Sequence, residues 1–291
     1  MTENPSLSAL LARFDPITLD EMESITLMNR IDSKYLTDFP TLLRLLGDAA
    51  EQGYRALCVD DKKLIPYDSV YFDTPDLKTY TDHRNRKLVR QKIRTRCYLT
   101  DSGAAFLEIK RKTNHGRTKK KRMQIPMADF ADFRGNAEAA AYLQTRSMFT
   151  ADQLSPELHT RFSRITLVNV HQTERITIDL DLQFENVRFG TQASLPGAVI
   201  IELKQDGRAP SRMKPILLKH RIKPFRISKY CTAVTLTDPT ARYGRFKLKL
   251  KRIGRVIGCT LHPAGSPLNG ANTTSPFNET HISTTNETNN E

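Results

Sequence analysis

The stretch from Lys92 to Lys112, KIRTRCYLTDSGAAFLEIKRK, decides how this chain is read. It holds two alternating runs joined by a turn containing Asp101, Ser102 and Gly103. Successive strand side chains point to opposite faces. Lys92, Arg94, Arg96 and Tyr98 therefore share one face, and Ile93, Thr95, Cys97 and Leu99 the other. In the second run Phe106, Glu108, Lys110 and Lys112 line up against Leu107 and Ile109. The pattern predicts a β-hairpin with one apolar and one cationic face. Neighbouring cations repel, and they are costly to shelter from water unless an anion sits among them. A polyanion held on the charged face is the simplest resolution.

The same two-faced pattern recurs along the chain. A strand is expected over 25–36, with Arg30, Asp32 and Lys34 on one side and Ile31, Ser33 and Tyr35 on the other. Further strands are expected near 54–59, 69–72, 122–127 and 199–204, the last placing Glu202 and Lys204 opposite Ile201 and Leu203. A hairpin over 158–170 and 173–184 alternates Arg175, Thr177, Asp179 and Asp181 against Ile176, Ile178, Leu180 and Leu182. Helices are expected at 5–14, 18–24, 41–50, 128–133, 137–146, 212–220 and 228–236, and at a helix capped by Asp73 or Thr74 with Pro75 in its first turn. A flat sheet could leave its ionic face in water. A sheet closed on itself, with helices outside and charges lining the lumen, covers the apolar faces as well. The expectation is thus an α+β fold: an antiparallel β-tunnel, closed and barrel-like, with a basic lumen and helices packed outside.

Three segments are expected: an N-terminal helical piece over 1–21, the tunnel domain over 22–240, and a basic then low-complexity, disordered tail over 241–291. Between Arg242 and Arg255 there are seven Lys or Arg residues and no acid. Lys247, Lys249 and Lys251 alternate there with Phe246, Leu248 and Leu250, as a last strand or a membrane-surface anchor would, but a solvated basic tail is the plainer expectation.

The 291 residues are 38% hydrophobic and 26% charged, which fits a globular protein with a full core. A net charge of +13 points to an anionic partner such as phosphates, nucleic acid or an acidic membrane surface. Cys58, Cys97, Cys231 and Cys259 are scattered, so neither a zinc site nor a disulfide framework is indicated. The first residues carry no basic, apolar leader, and no run of apolar residues is long enough to span a membrane. A reduced, cytoplasmic protein is the default expectation, with peripheral attachment to a membrane left open. There is no GxxxxGK[ST], GxSxG or HExxH motif, and the histidines have no ligand spacing.

Taken singly, each basic residue reads as an outward strand residue in an ion pair, with Glu108 or Glu202 as partner. Repetition changes that reading. Lys34, Arg94, Arg96, Lys110 and Lys112 are followed by Arg164, Arg175, Lys204 and Lys229, and they outnumber the nearby acids. Guanidinium and ammonium groups suit phosphate oxygens, and a few carboxylates among them could hold a divalent metal bridging phosphates.

These motifs carry a resemblance. RIDSKY (Arg30–Tyr35), YFDT (Tyr71–Thr74), IRTRCY (Ile93–Tyr98) and FLEIKRK (Phe106–Lys112) resemble successive strands of the VTC domain. The hairpin bearing Arg164 and Arg175, IELK (Ile201–Lys204) and ISKY (Ile227–Tyr230) do too. This is the polyphosphate polymerase domain of the vacuolar transporter chaperone family, within the CYTH or triphosphate tunnel metalloenzyme superfamily. The resemblance spans roughly residues 22 to 236 and implies transfer of the γ-phosphoryl of a nucleoside triphosphate, ATP above all, onto a polyphosphate chain with Mn²⁺ or Mg²⁺ assisting. It implies that Lys34, Arg94, Arg96, Arg164, Arg175 and Lys229 act on the transferring phosphates. Lys110 or Lys112 joins them, the choice depending on register. Lys121 (from the Lys119–Lys121 cluster), Lys204, Arg226 and Ser228 would bind further phosphate. Glu202 would be the main metal ligand and Glu108 a second. The paired-glutamate ExExK signature of other CYTH enzymes is replaced by RIDSK, which argues against adenylyl cyclase or thiamine-triphosphatase chemistry. Without a membrane span of its own, the chain could work beside a membrane-protein partner. The alternatives are a hydrolase of tripolyphosphate or nucleoside triphosphates, and a non-catalytic binding module for polyphosphate or inositol phosphates. Nucleic acid is the disfavoured partner, because few aromatics stand among the cations.

Overall fold

The computed structural model describes residues 6–25, 27, 30–99, 104–114 and 118–267. The turn expected at Asp101–Gly103, residues 115–117 and the Asn- and Thr-rich end from 268 onward lie outside the described residues. The chain runs α1 (Leu7–Ala12), β1 (Asp15–Ile17), α2 (Leu19–Ser24), β2 (Ile31–Asp38), α3 (Phe39–Glu51), β3 (Arg55–Leu57), β4 (Ile65–Asp73), α4 (Lys78–Arg84), β5 (Arg90–Tyr98), β6 (Ala105–Lys112) and β7 (Thr118–Ile125). It continues through α5 (Ala137–Arg146), β8 (Ser155–Val168), β9 (Glu174–Asn186), β10 (Gln192–Leu195), β11 (Ala198–Gln205), α6 (Met213–Lys219), α7 (Lys229–Thr237) and α8 (Lys247–Ile257).

The strands form one antiparallel sheet in the order β2-β11-β9-β8-β4-β5-β6-β7, with β10 beside β9, β3 beside β8, and the short parallel β1 beside β3. Two apolar layers cover its outer face. Leu42, Leu45 and Leu46 of α3 pack with Met213 and Leu217 of α6 on Ile165, Ile176 and Ile201. Leu143 of α5 and Phe133 pack on Ile93, Leu107 and Ile109. Asp38 caps α3, its carboxylate accepting from the Thr41 N–H at 2.7 Å.

The sheet departs from the expected closed tunnel in two ways. First, the hydrogen-bonded ladder is open: among the described residues β7 does not pair with β2. The free edge of β2 is taken instead by the chain before α7, through a bridge of Tyr35 with Pro224 and the Phe225 N–H donating to the Lys34 carbonyl at 2.7 Å. The edge of β7 carries Lys119, Lys120, Lys121 and Arg122, cations that oppose pairing. α2 ties the two arms together: Glu23 meets Arg122 of β7 at 3.1 Å, and the Met22 carbonyl accepts from Arg175 of β9. Second, the helices do not all lie outside. Tyr230 to Thr237 of α7 are buried without a break, the threonines included, so the helix is enclosed on all sides. Tyr230 stacks on Tyr71 with ring centroids 5.0 Å apart, so α7 lies against the inner face of β4. Leu250 and Ile253 of α8 join the same inner cluster, and the alternating stretch over 246–251 falls almost wholly within this amphipathic helix.

Two local readings also change. Asp181 has φ 56°, and the β8–β9 register shifts between Arg161 and Ser163. This bulge turns the strand over. Leu182 and Phe184 join the inner cluster while Ile178 and Leu180 stay in the outer one. Asp73 and Thr74 do satisfy first-turn N–H groups of α4, the Thr74 hydroxyl accepting from the Lys78 N–H at 2.9 Å, but Pro75 lies ahead of the helix rather than in its first turn. Residues 74–77 form a turn, α4 starts at Lys78, and the buried Asp73 carboxylate accepts from the Thr79 and Tyr80 N–H groups and the Tyr230 hydroxyl.

Candidate active site

Register decides which charges meet. Arg94 lies opposite Glu108 and Tyr71, Lys92 opposite Lys110, and Arg90 opposite Lys112, so Lys110 and Lys112 both stand on the inner face. Across the other arm Lys34 lies opposite Glu202, Lys204 opposite Arg175, and Arg164 opposite Asp179. β7 is the exception to the expected assignment. Lys121 pairs opposite Ile109, an outer-core residue, and therefore points away from the site. Its neighbour Lys120 points inward and pairs with Glu108.

Among the described residues three inner-face carboxylates, Glu108, Asp179 and Glu202, are each clasped by cations of facing strands or of α7, while Asp32 of the same face is held by Arg30. Glu108, only 3% exposed, takes Arg94 Nε and Nη2 on one oxygen at 2.8 and 2.6 Å and Lys120 on the other. Asp179 takes Arg164 on both oxygens at 2.6 and 3.0 Å, and Lys229 as well. Glu202 meets Lys34 at 2.7 Å and Lys204 at 3.6 Å through the same oxygen. Burial alone would raise the carboxyl pKa values, but Arg94 and Arg96 beside Glu108, Arg164 and Lys229 beside Asp179, and Lys204 and Lys34 beside Glu202 hold them well below the usual range.

The cations nevertheless outnumber these acids, and the surplus leaves a mark. Burial, relieved only in part by Asp179, brings the Lys229 ammonium down to about 8. Burial likewise brings Lys204 down to about 8 against the pull of Glu202. Burial would raise the Tyr71 phenol, yet Arg94, Lys92 and Arg96 bring it to about 8. Lys110 is lowered by burial and then by Lys34, Lys92 and Arg94, with Glu202 opposing. Its side chain is open to solvent but hemmed in by protein. Lys110 of β6 thus feels charges on β2, β5 and β11.

Aromatic rings floor this field. Arg96 lies over Tyr67 at 5.1 Å, Arg164 over Tyr67 at 4.8 Å, and Lys229 over Phe162 at 4.2 Å. Ring faces attract cations in partly dry surroundings, which helps explain how guanidinium groups are tolerated side by side. Ser228 is the N-cap of α7: its hydroxyl accepts from the Cys231 N–H at 3.2 Å and from Lys92 at 2.7 Å. It fixes where Lys229 enters the site.

Lys34, Arg94, Arg96, Lys110, Arg164, Lys204 and Lys229 thus come together. Arg175 sits toward α2, donating to the Met22 carbonyl, and Lys112 and Arg226 line a cavity at one mouth. Sequence reading gave no role to Lys92, Asp179 or the aromatic floor, and within the Lys119–Lys121 cluster it favoured Lys121 over Lys120. Strand alternation put Lys92 and Asp179 on the charged faces, but which cation each would meet depends on strand order. Among the described residues no group of three or more His, Cys, Asp or Glu is arranged to hold a metal. Glu108 has both oxygens engaged and acts as a counter-ion rather than a free ligand. Glu202 keeps one oxygen off its lysines, which suits a hard cation bound by one carboxylate and completed by phosphate and water oxygens.

The VTC domain profile matches residues 29–237. The chain belongs to the VTC domain family. No curated protein matches the chain. Solved structures that resemble it include a Bacillus halodurans protein described as a candidate adenylate cyclase, at 14% identity and TM-score 0.45, covering 69% of this chain and 96% of that one. A Hippeastrum protein with a dominant triphosphatase activity shares 16% identity at TM-score 0.44, covering 70% and 94%. An inorganic triphosphatase shares 12% at TM-score 0.29, covering 72% and 97%. Among the described residues of this VTC domain chain, no helix is long and apolar enough to cross a membrane.

Proposed function

We propose that this VTC domain protein is a phosphotransferase that moves the γ-phosphoryl group of a nucleoside triphosphate, with ATP as donor, onto the end of a polyphosphate chain. The observation that carries the reading is the cation surplus of the inner face around three carboxylates that are all already neutralised. Phosphoryl transfer runs through a loose transition state whose charge is spread over the equatorial oxygens, so positioning and charge neutralisation supply most of the catalysis. Arg94, Arg96 and Arg164 can grip phosphate oxygens in pairs, and Lys229, Lys204, Lys110 and Lys34 add point charges around them.

The neutralised carboxylates also bear on the acceptor. Glu108, Asp179 and Glu202 are held well below the ordinary carboxylate range, which makes them weak bases for activating water. A terminal phosphate oxygen of a polyphosphate is already ionised and needs no base. Glu202 would hold the divalent cation, Mn²⁺ or Mg²⁺, that accompanies the nucleotide, and the chemistry supplied is neutralisation of charge on the bridging oxygens.

The test is incubation of the full chain with ATP and Mn²⁺, followed by a gel stained for polyphosphate and a parallel free-phosphate assay. A polyphosphate ladder with stoichiometric ADP is expected. Free phosphate without a ladder would replace this reading by hydrolysis.

A further inference from the structure

A cavity of about 810 Å³ opens where Lys34 and Lys112 leave the inner face, and its rim is built by elements outside the catalytic cluster. α4, the turn after it and the start of β5 contribute Arg84, Arg86 and Arg90, and the segment before α7 contributes Arg226. The chain beyond residue 237, where the family match ends, contributes Arg245 and Lys249. Asp32 is the acid among the described lining residues, and it is already held by Arg30 at 2.6 and 3.1 Å.

None of these rim cations makes an ion pair among the described residues, in contrast to Arg94, Arg164 and Lys229 deeper in. The few hydrogen bonds they make go to neutral groups: Arg84 to the Asn85 side chain, Arg90 to the Lys87 carbonyl, Arg245 to the Arg84 carbonyl. Arg84 Nε is buried with no hydrogen-bond partner among the described residues. The field is strong enough that Lys92 first, then burial, Arg90, Lys249 and Lys110, drive the His83 imidazole down to about 2. Like charges gathered around one opening whose single described acid is already taken up by Arg30 are stable only at the cost of mutual repulsion, which a multivalent anion relieves.

We propose that this basic mouth is a second phosphate subsite that holds the body of a linear inorganic polyphosphate while its end lies among Lys34, Arg94 and Arg164. The protein then binds long chains in preference to triphosphates, and α8 is the element that sets the preference. The inference rests on the proposed function, because it takes the inner cluster as the place where the chain end reacts. A short polyphosphate fills the inner cluster and leaves the rim empty. A long one also engages Arg245 and Lys249 and releases more counter-ions.

The test compares the affinity of the full chain for tripolyphosphate and for a long-chain polyphosphate, each over a salt series, in wild type and in the double variant Arg245→Gln/Lys249→Gln. Two lost phosphate contacts should weaken long-chain binding about tenfold and flatten its salt dependence, with tripolyphosphate affinity held within about twofold. Arg86→Gln, which leaves α8 untouched, should reproduce part of the selective loss and guards against a misfolded double variant. Equal loss for both ligands, or no loss for the long chain, would overturn the assignment. So would inositol hexakisphosphate displacing the long chain as readily as polyphosphate does, since that would mark a site for compact anions. Synthesis from ATP is assayed separately. A wild type that makes no polyphosphate counts against the proposed function alone. Intact synthesis with unchanged long-chain affinity in the double variant counts against the mouth alone.

Discussion

At the scale of single residues, the site rests on cations held in excess over neutralised acids, and substitutions can pull the two apart. Glu202→Gln keeps the size of the side chain and removes its charge. Turnover should fall about a hundredfold or more, because the metal's neutralising effect is worth several kcal/mol, while tripolyphosphate affinity measured by calorimetry is retained or rises. Unchanged turnover would remove Glu202 from the mechanism. Asp179→Asn should behave differently. Asp179 is 4% exposed at its side chain and is shared by Arg164 and Lys229. Removing it strands two buried cations, so the free protein should lose about 3–5 kcal/mol in urea unfolding, and saturating tripolyphosphate should recover more stability in the variant than in wild type.

The lysines give a pH signature with a fixed sign. Lys204 and Lys229 titrate near 8 in the folded protein, below the value near 10.4 of an unfolded lysine. Between those values the unfolded chain binds more protons, so stability of the ligand-free protein should rise with pH from about 8 to about 10. Phosphate affinity should fall over the same range as the ammonium groups discharge. Thermal melts and tripolyphosphate titrations at matched ionic strength would check both directions; affinity that climbs with pH would contradict the assignment. The inner placement of Arg94, Arg96 and Glu108 was legible in the sequence because strand alternation alone fixes it. The choice of Lys120 over Lys121 was not, because it depends on the β6–β7 register, set across a connection whose composition fixes no length.

At the scale of elements, α8 is the piece whose role alternation misjudged. Lys-Leu-Lys-Leu-Lys reads as period two over 247–251, but Leu250 and Ile253 are three apart and share the buried side of a helix. Composition marked the segment as basic without saying what it would pack on. Ile253→Ala should cost about 2–5 kcal/mol in urea unfolding if the helix belongs to the fold; a negligible cost would mean that α8 detaches readily. Gly254 gives an independent check. A Cβ there would overlap the Cys259 carbonyl oxygen, part of the turn that ends α8. Gly254→Ala should therefore loosen α8, seen as faster amide exchange along the helix, and lower long-chain polyphosphate binding with it. The remaining helices are better behaved. α3 spans Phe39–Glu51 where 41–50 was expected, because its leucine stripe and Asp38 cap are local signals. The bulge at Asp181 was hidden, since nothing in an alternating run marks the residue at which a strand turns over.

At the scale of the whole molecule, the expectation of a closed sheet was half realised. Two-faced strands require the ionic faces to gather, and they do, but the ladder stays open because Pro224 and Phe225 take the edge of β2 and lysines line β7. The interior is divided: α7 and α8 fill one part with apolar side chains, and the rest stays cationic and opens at the mouth. That division also explains the net charge of +13, much of which is directed at one cavity system rather than spread over the surface. The most direct test of the central claim follows phosphorus through the reaction: ³¹P NMR of the purified full chain with ATP and Mg²⁺. Growth of internal polyphosphate resonances in step with ADP is the predicted result. Orthophosphate accumulating in step with ADP, with no internal polyphosphate signal, would contradict the account.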